Sequence, residues 1–401
     1  MQLIFSNQPL PDTIVKSVFL AGPSPRSLDE QDWRHEAIAV LKQLGFDGTV
    51  FLPVPSYRFY DNVLDKGTTG WSYDDQIAWE VQARDRADII AFWVPRVIDP
   101  TKPDLGMPAF TTNFELGEDL HSNKVAYGRP AAAVKCRYLD ERITQTGLPV
   151  HETMEALFAD VINRLGAGAL RVGGEAQVPL FIWKTPTFQS WLASQKAVGN
   201  RLDAARVVSC YIARGGFVFT YQMKVSVWVA SEQRHKSNEI IFARPDVSAV
   251  VACHKDAGGV LRIALVREFR SPVNNDIGFV YELPGGSSPK PGMDPAMNAS
   301  EELSEEAGLH IQDINRFQFV GVRQLVATLS LHRVHVYAVM LTDEEFKQLQ
   351  ETAASGEPFG LAETSERTYV EIASLDALFS LPVDYSTLGM VAEALRVLKV
   401  A

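Results

Sequence analysis

Three carboxylates, Glu302, Glu305 and Glu306, stand three and four residues apart in the run Glu301-Glu-Leu-Ser-Glu-Glu-Ala-Gly-Leu309. A helix through this run puts all three on one face, and like charges at that spacing cost roughly 0.2 to 0.5 kcal/mol per pair. A cation among them turns repulsion into attraction. A hard divalent ion with oxygen ligands, Mg²⁺ with Mn²⁺ as the alternative, suits carboxylates that face a phosphate-bearing substrate. Acidic runs more often mark a solvated helix face, so the context decides. Upstream, Val280-Tyr-Glu-Leu-Pro284 reads as a strand end, Gly285-Gly286 as a turn, Asp294-Pro295 as a helix start and Gly308 as its stop. A second pair of carboxylates lies far away, Glu80 in Gln76-Ile-Ala-Trp-Glu80 and Glu115 in Phe110-Thr-Thr-Asn-Phe-Glu-Leu-Gly117. Breaking a glycosidic bond needs a carboxylate at the anomeric carbon and a second polar group to manage the proton.

The chain of 401 residues is long enough for two or three cores, and 46% hydrophobic with 22% charged residues describes a globular protein. A net charge of -11 argues against non-specific binding to nucleic acid or an acidic membrane. Cys136, Cys210 and Cys253 lie far apart, without metal-ligand spacing, and read as buried thiols of a reducing compartment. The start lacks a basic segment followed by an apolar run, and no apolar stretch reaches membrane-spanning length, so a cytoplasmic protein is expected.

In the first half, apolar runs at 15–21, 50–54 and 87–94 alternate with helical patterns at 32–44 and 75–86. Strand alternating with helix predicts a doubly wound parallel α/β sheet, with ligands at the carboxyl ends of the strands, near loops 21–27, 53–60 and 95–115. Thr185-Pro186 starts a helix whose apolar stripe runs through Phe188, Trp191, Leu192, Val198, Leu202 and Ala205. Packing between domains, or a homodimer interface, would cover that stripe. In the second half, alternating strands at 217–229, 247–252, 261–266, 317–322, 334–341 and 368–372 flank the acidic helix, predicting an α/β/α sandwich. His332 and His335 have no zinc spacing and read as packing residues.

Val18-Phe-Leu-Ala-Gly-Pro23, Gln76-Ile-Ala-Trp-Glu80, Ala87-Asp-Ile-Ile-Ala-Phe-Trp-Val-Pro95, Thr111-Thr-Asn-Phe-Glu-Leu-Gly117 and Tyr127-Gly-Arg-Pro130 resemble, in order, the nucleoside 2-deoxyribosyltransferase family. The resemblance implies a flavodoxin-like fold, Glu115 as nucleophile, Glu80 as the acidic residue contacting the base or aiding proton transfer, and substrate contacts from Gly22, Pro23 and Asn113. Water in place of a second base as acceptor would make the domain an N-glycoside hydrolase.

The strand, glycine turn and acidic helix from 280 to 309 resemble the Nudix hydrolase signature. Met293 replaces its first Glu, Glu301 replaces its Arg, and the loop after Gly286 is one residue longer. Leu265-Val-Arg-Glu-Phe-Arg270 and Gly360-Leu-Ala-Glu-Thr-Ser-Glu-Arg367 resemble ADP-ribose pyrophosphatases in particular. This resemblance implies Mg²⁺ on Glu302, Glu305 and Glu306, Glu363 or Glu366 as general base, and a substrate site at Gly286. Arg267 and Arg270 either bind phosphate or form strand-end salt bridges. The expected organisation is a deoxyribosyltransferase-like domain at 1–168, a helical connector at 169–216 and a Nudix domain at 217–401. The expected enzyme cleaves small-molecule nucleotides or nucleosides: a diphosphate linkage in one domain and an N-glycosidic bond in the other. The alternative is a degenerate second domain that only senses a nucleotide.

Overall fold

A computed structural model of the chain describes residues 1–25, 31–61, 71–98, 101, 106–213, 216–288, 290, 292–360 and 366–400. It falls into two compact units, Met1–Phe242 and Ala243–Ala401. The division expected from sequence, at 168 and 216, cuts the chain elsewhere: the connector and the two strands after it group with the first unit.

The first unit is built on a six-stranded sheet of β1 (Gln2–Phe5), β2 (Ser17–Ala21), β3 (Thr49–Leu52), β4 (Ile89–Trp93), β5 (Val125–Gly128) and β6 (Val150–His151). Their order is β1-β3-β2-β4-β5-β6, and every pairing is parallel. Every residue of β2, β3 and β4 is buried, which is why their sequences are apolar runs without alternation. Helices α1 (Arg34–Gln43), α2 (Tyr73–Arg86), α3 (Phe110–Asp119) and α4 (Met154–Leu165) cover the sheet. Ala37 and Leu41 of α1 pack in one core with Leu157, Phe158 and Val161 of α4. Trp79 and Ala83 of α2 pack in another with Leu116 of α3. Fully burying such a large apolar side chain contributes about 1.5 to 3 kcal/mol. Thus α2 and α3 share one face of the sheet. Chain order reverses between β2 and β4, and a ligand crevice opens at such a switch point.

At the opposite ends of these strands Asp88, 4% exposed, gathers several polar contacts. Its carboxylate accepts hydrogen bonds from the Ser17 amide at 2.8 Å, the Leu180 amide at 2.8 Å and both terminal nitrogens of Arg171 at 2.7 Å. The segment after α4 is thereby tied to the starts of β2 and β4.

Thr185 caps α5 (Pro186–Ala197) as expected, but the helix stops there. Gly199 adopts φ 77° and the chain continues as β7 (Arg201–Ile212), so Leu202 and Ala205 lie on a strand and not on the predicted helical stripe. The β-branched and aromatic content of Val207, Val208, Tyr211 and Ile212 favours that choice. With β8 (Val218–Val229) and β9 (Arg234–Ala243), β7 makes a three-stranded sheet. Phe188 is fully buried, its ring 5.6 Å from those of Trp183 and Trp191, so this part of the stripe is covered within its own unit.

The second unit is a mixed sheet of β10 (Val247–Lys255), β11 (Leu261–Phe269), β12 (Phe279–Glu282), β13 (Gly285–Gly286), β14 (Gln318–Gln324), β15 (Arg333–Met340) and β16 (Thr368–Ser374). The order is β12-β11-β10-β15-β14, with β13 on β10, β16 on β11, and β10 parallel to β15. Leu303 of α6 (Pro295–Ala307) and Phe346 and Leu349 of α7 (Asp343–Ser355) pack on one face. Val391, Ala394 and Leu395 of α8 (Tyr385–Leu398) pack on the other, completing the α/β/α arrangement. Asp294 caps α6 by accepting from the Ala296 and Met297 amides, and Gly308 ends it in the left-handed conformation. Among the described residues no helix is long and apolar enough to cross a membrane. All three cysteines are free; Cys136 and Cys253 are buried and Cys210 is half-buried.

Candidate active site

In the first unit the crevice is a cavity of about 700 Å³ at the carboxyl ends of β2, β3 and β4. Loop residues Gly22, Pro23 and Ser24 line it, with Pro53 and Arg58 after β3 and Pro108 and Ala109 before α3. Gly22 is required there, because a Cβ would collide with the Trp93 carbonyl and the Trp33 ring.

Glu80 and Glu115 both line this cavity, brought together because α2 and α3 lie on the same face of the sheet. Helix α2 is fixed in register at its start by a capping box: Ser72 accepts from the Asp75 amide, and Asp75 accepts from the Ser72 amide at 2.9 Å. The Gln76 amide group donates to Glu80 Oε1 at 2.8 Å and to the Pro53 carbonyl at 3.1 Å. Burial first, and then the charge of Glu80, pushes Glu115 up to about 7. Burial also holds Glu80 above the usual carboxylate range. Two carboxylates in one desolvated cavity resist ionising together, so near neutral pH the pair keeps a proton beside a charge.

Arg84, one turn beyond Glu80, braces the arrangement. Its guanidinium lies 2.8 Å from both Asp119 and Glu118 and 3.9 Å from Glu115. The sequence reading did not single it out, although an arginine four residues after Glu80 on the same helix face was visible. Asn113 departs from expectation: its side chain accepts a hydrogen bond from Arg96, and it does not line the cavity.

In the second unit the carboxylates of Glu268, Glu306 and Glu366 converge, each offering an oxygen within 4.8 Å of the others. Glu306 is 4% exposed, and its Oε2 accepts from the Gly285 amide at 2.8 Å. Burial raises it well above the carboxylate range, with Glu302 and Glu366 adding to the effect. Burial likewise pushes Glu302 and Glu268 to about 7. A Cβ on Gly286 would sit 2.5 Å from Glu302 Oε1, so the glycine turn admits that carboxylate. Oxygen-only donors in such a cluster fit a hard divalent ion.

Two expectations change here. Neither Glu302 nor Glu305 is one of the three converging carboxylates: Glu302 sits against Gly286, and Glu305 is exposed because helical spacing carries it outward from Glu306. Glu268 is one of them, and it was missed because a single acid on a strand gives no periodic signal. Glu363 lies outside the described residues. Arg267 pairs with Glu371 at 3.0 Å and lies against the Phe279 and Tyr369 rings. Arg270 pairs with Glu268 at 2.9 Å and with Glu282 at 3.0 Å, so both arginines form strand-end salt bridges. His332 is buried and bonded to Ser330, and His335 lies 3.4 Å from Asp246.

Residues 15–128 match a family model described as "Nucleoside 2-deoxyribosyltransferase like". The match ends within the first unit and includes both Glu80 and Glu115. No curated protein matches the chain.

Proposed function

We propose that the nucleoside 2-deoxyribosyltransferase-like domain at residues 15–128 cleaves the N-glycosidic bond of a nucleoside or nucleotide, with Glu115 as nucleophile. The observation that carries this reading is the convergence of Glu80 and Glu115 on one cavity at the switch point of the sheet. Ionised Glu115 attacks the anomeric carbon. The carbon–nitrogen bond breaks, its electron pair goes to the base, and a proton from solvent neutralises the departing nitrogen. Water, or a second base, then attacks the glycosyl ester at the anomeric carbon and gives up its proton to the ionised Glu80, and Glu115 is released. Because the attacking group must be ionised, the rate rises as pH passes through about 7. Mass-resolved products from a nucleoside and nucleotide panel test this. Wild type releases free base without metal, Glu115→Gln loses about 10³-fold or more in kcat, and base release undiminished in Glu115→Gln would refute the assignment.

A second reading concerns the other unit and rests on the convergence of Glu268, Glu306 and Glu366 beside Gly285 and Gly286. We infer that this unit hydrolyses a diphosphate linkage of an ADP-ribose-like or nucleoside triphosphate substrate. Glu268, Glu306 and Glu366 would hold Mg²⁺, which when bound neutralises charge on the phosphates and orients a water. Glu306, anchored to the Gly285 amide, fixes the donors against the turn. Millimolar Mg²⁺ should raise the unit's Tm and support release of a monophosphate. Both effects should vanish in Glu306→Gln; a nucleotide bound but not cleaved would favour the sensing alternative.

A further inference from the structure

We propose that Gln76 is a positioning residue of the first unit's cavity: its side-chain amide fixes Glu80 as the acceptor for the proton of the group that attacks the glycosyl ester. This rests on the glycosidic reading above and assigns a residue to its second step.

The side-chain nitrogen of Gln76 donates to two acceptors, Glu80 Oε1 at 2.8 Å and the Pro53 carbonyl at 3.1 Å. A backbone carbonyl only accepts, so the amide nitrogen must face it, and the second N–H is left for the carboxylate. The amide thus has one orientation. Pro53 immediately follows β3, whereas Gln76 and Glu80 stand four residues apart on one face of α2. The contact therefore joins strand to helix at the cavity, which all three residues line.

This donor sets the two carboxylates apart. Among the described residues no hydrogen-bond donor reaches Glu115, which has Arg84 at 3.9 Å, whereas Gln76 holds an oxygen of Glu80. A hydrogen bond to a carboxylate favours its ionised form. Burial lifts Glu80 above the usual range, and among the groups that oppose the lift the Gln76 bond comes first, ahead of the charges of Arg34 on α1 and Arg84 on α2. On Glu115 of α3, burial and the charge of Glu80 act together. The proton of the pair accordingly rests on Glu115 and the charge on Glu80. Once Glu115 is a glycosyl ester it carries no charge, and Glu80 is left beside it as the base. In the second step the oxygen of water bonds to the anomeric carbon, the bond to Glu115 breaks with its electron pair returning to that carboxylate, and the water proton passes to Glu80. The first step draws its proton from solvent and does not use Gln76.

The probes are the common deoxyribonucleosides, ribonucleosides and their 5′-monophosphates. Rapid quench reads each step separately: free base for the first, and the glycosyl adduct on the intact protein, by mass, for the second. In Gln76→Met, which keeps the length and loses both donors, adduct breakdown should slow about 10 to 100-fold, the worth of a hydrogen bond to a charged group. First-turnover base release should stay within about threefold of wild type. Without the donor Glu80 keeps its proton to higher pH, so the acid limb of breakdown should move upward. Azide attacks as an anion and needs no base, so it should restore turnover as a glycosyl azide. Gln76→Glu, which keeps the shape and puts an acceptor where the donor was, should show the same split between steps. Equal slowing of both steps, or a defect that azide leaves in place, overturns the proposal: Gln76 is then a brace between α2 and β3, and the glycosidic reading stands. Base release undiminished in Glu115→Gln, with no adduct on wild type or variant, sinks the glycosidic reading itself.

Discussion

At the scale of single residues, Arg84 opposes the protonation of Glu115. Desolvation and Glu80 both favour the protonated acid, and Arg84 at 3.9 Å is the nearest cation opposing them. A unit charge at that distance is worth about 1 to 4 kcal/mol across the effective dielectrics of water and protein surface. Removing it should therefore raise the pH at which Glu115 ionises. The sign follows: activity needs the ionised form, so in Arg84→Met the acid limb of the kcat/KM profile should move upward by about one pH unit, with partial rescue in Arg84→Lys. A profile that keeps its midpoint while activity falls would mark Arg84 as structural only. The second unit offers a parallel case, since Glu306, buried and raised, is costly unless something positive joins it.

At the scale of elements, the proposed chemistry of the first unit depends on α2 and α3 being held on one face, and the far end of the sheet holds them indirectly. Asp88 ties β2, β4 and the segment containing Arg171 and Leu180 in one buried cluster. Removing one partner of a buried ion pair strands the other, at a cost of about 3 to 5 kcal/mol. Arg171→Met should lower stability by that amount in urea denaturation, with the folded fraction retaining its pH profile because the cluster lies away from the cavity. A loss well under 1 kcal/mol would show that the Ser17 and Leu180 contacts suffice.

At the scale of the whole molecule, each unit closes its own apolar cores: the clusters of the first draw on residues up to Trp183 and those of the second begin at Val247. A chain ending at Phe242 should therefore fold cooperatively and release base as the full chain does; an unfolded or inactive product would show that the first unit needs the second. Much of this organisation was legible beforehand. Strand and helix types followed from apolar runs and alternation, the caps at Thr185 and Asp294, and the stop at Gly308, all local signals. Glu80 and Glu115 could be named as a pair, but their facing one cavity was decided by strand order, which sends α2 and α3 to the same side. The strand at 201–212 and the inward turn of Glu268 were likewise invisible, because β-pairing and burial join residues distant in the chain. Local periodicity thus determined which residues could do chemistry, whereas only long-range packing decided which of them meet.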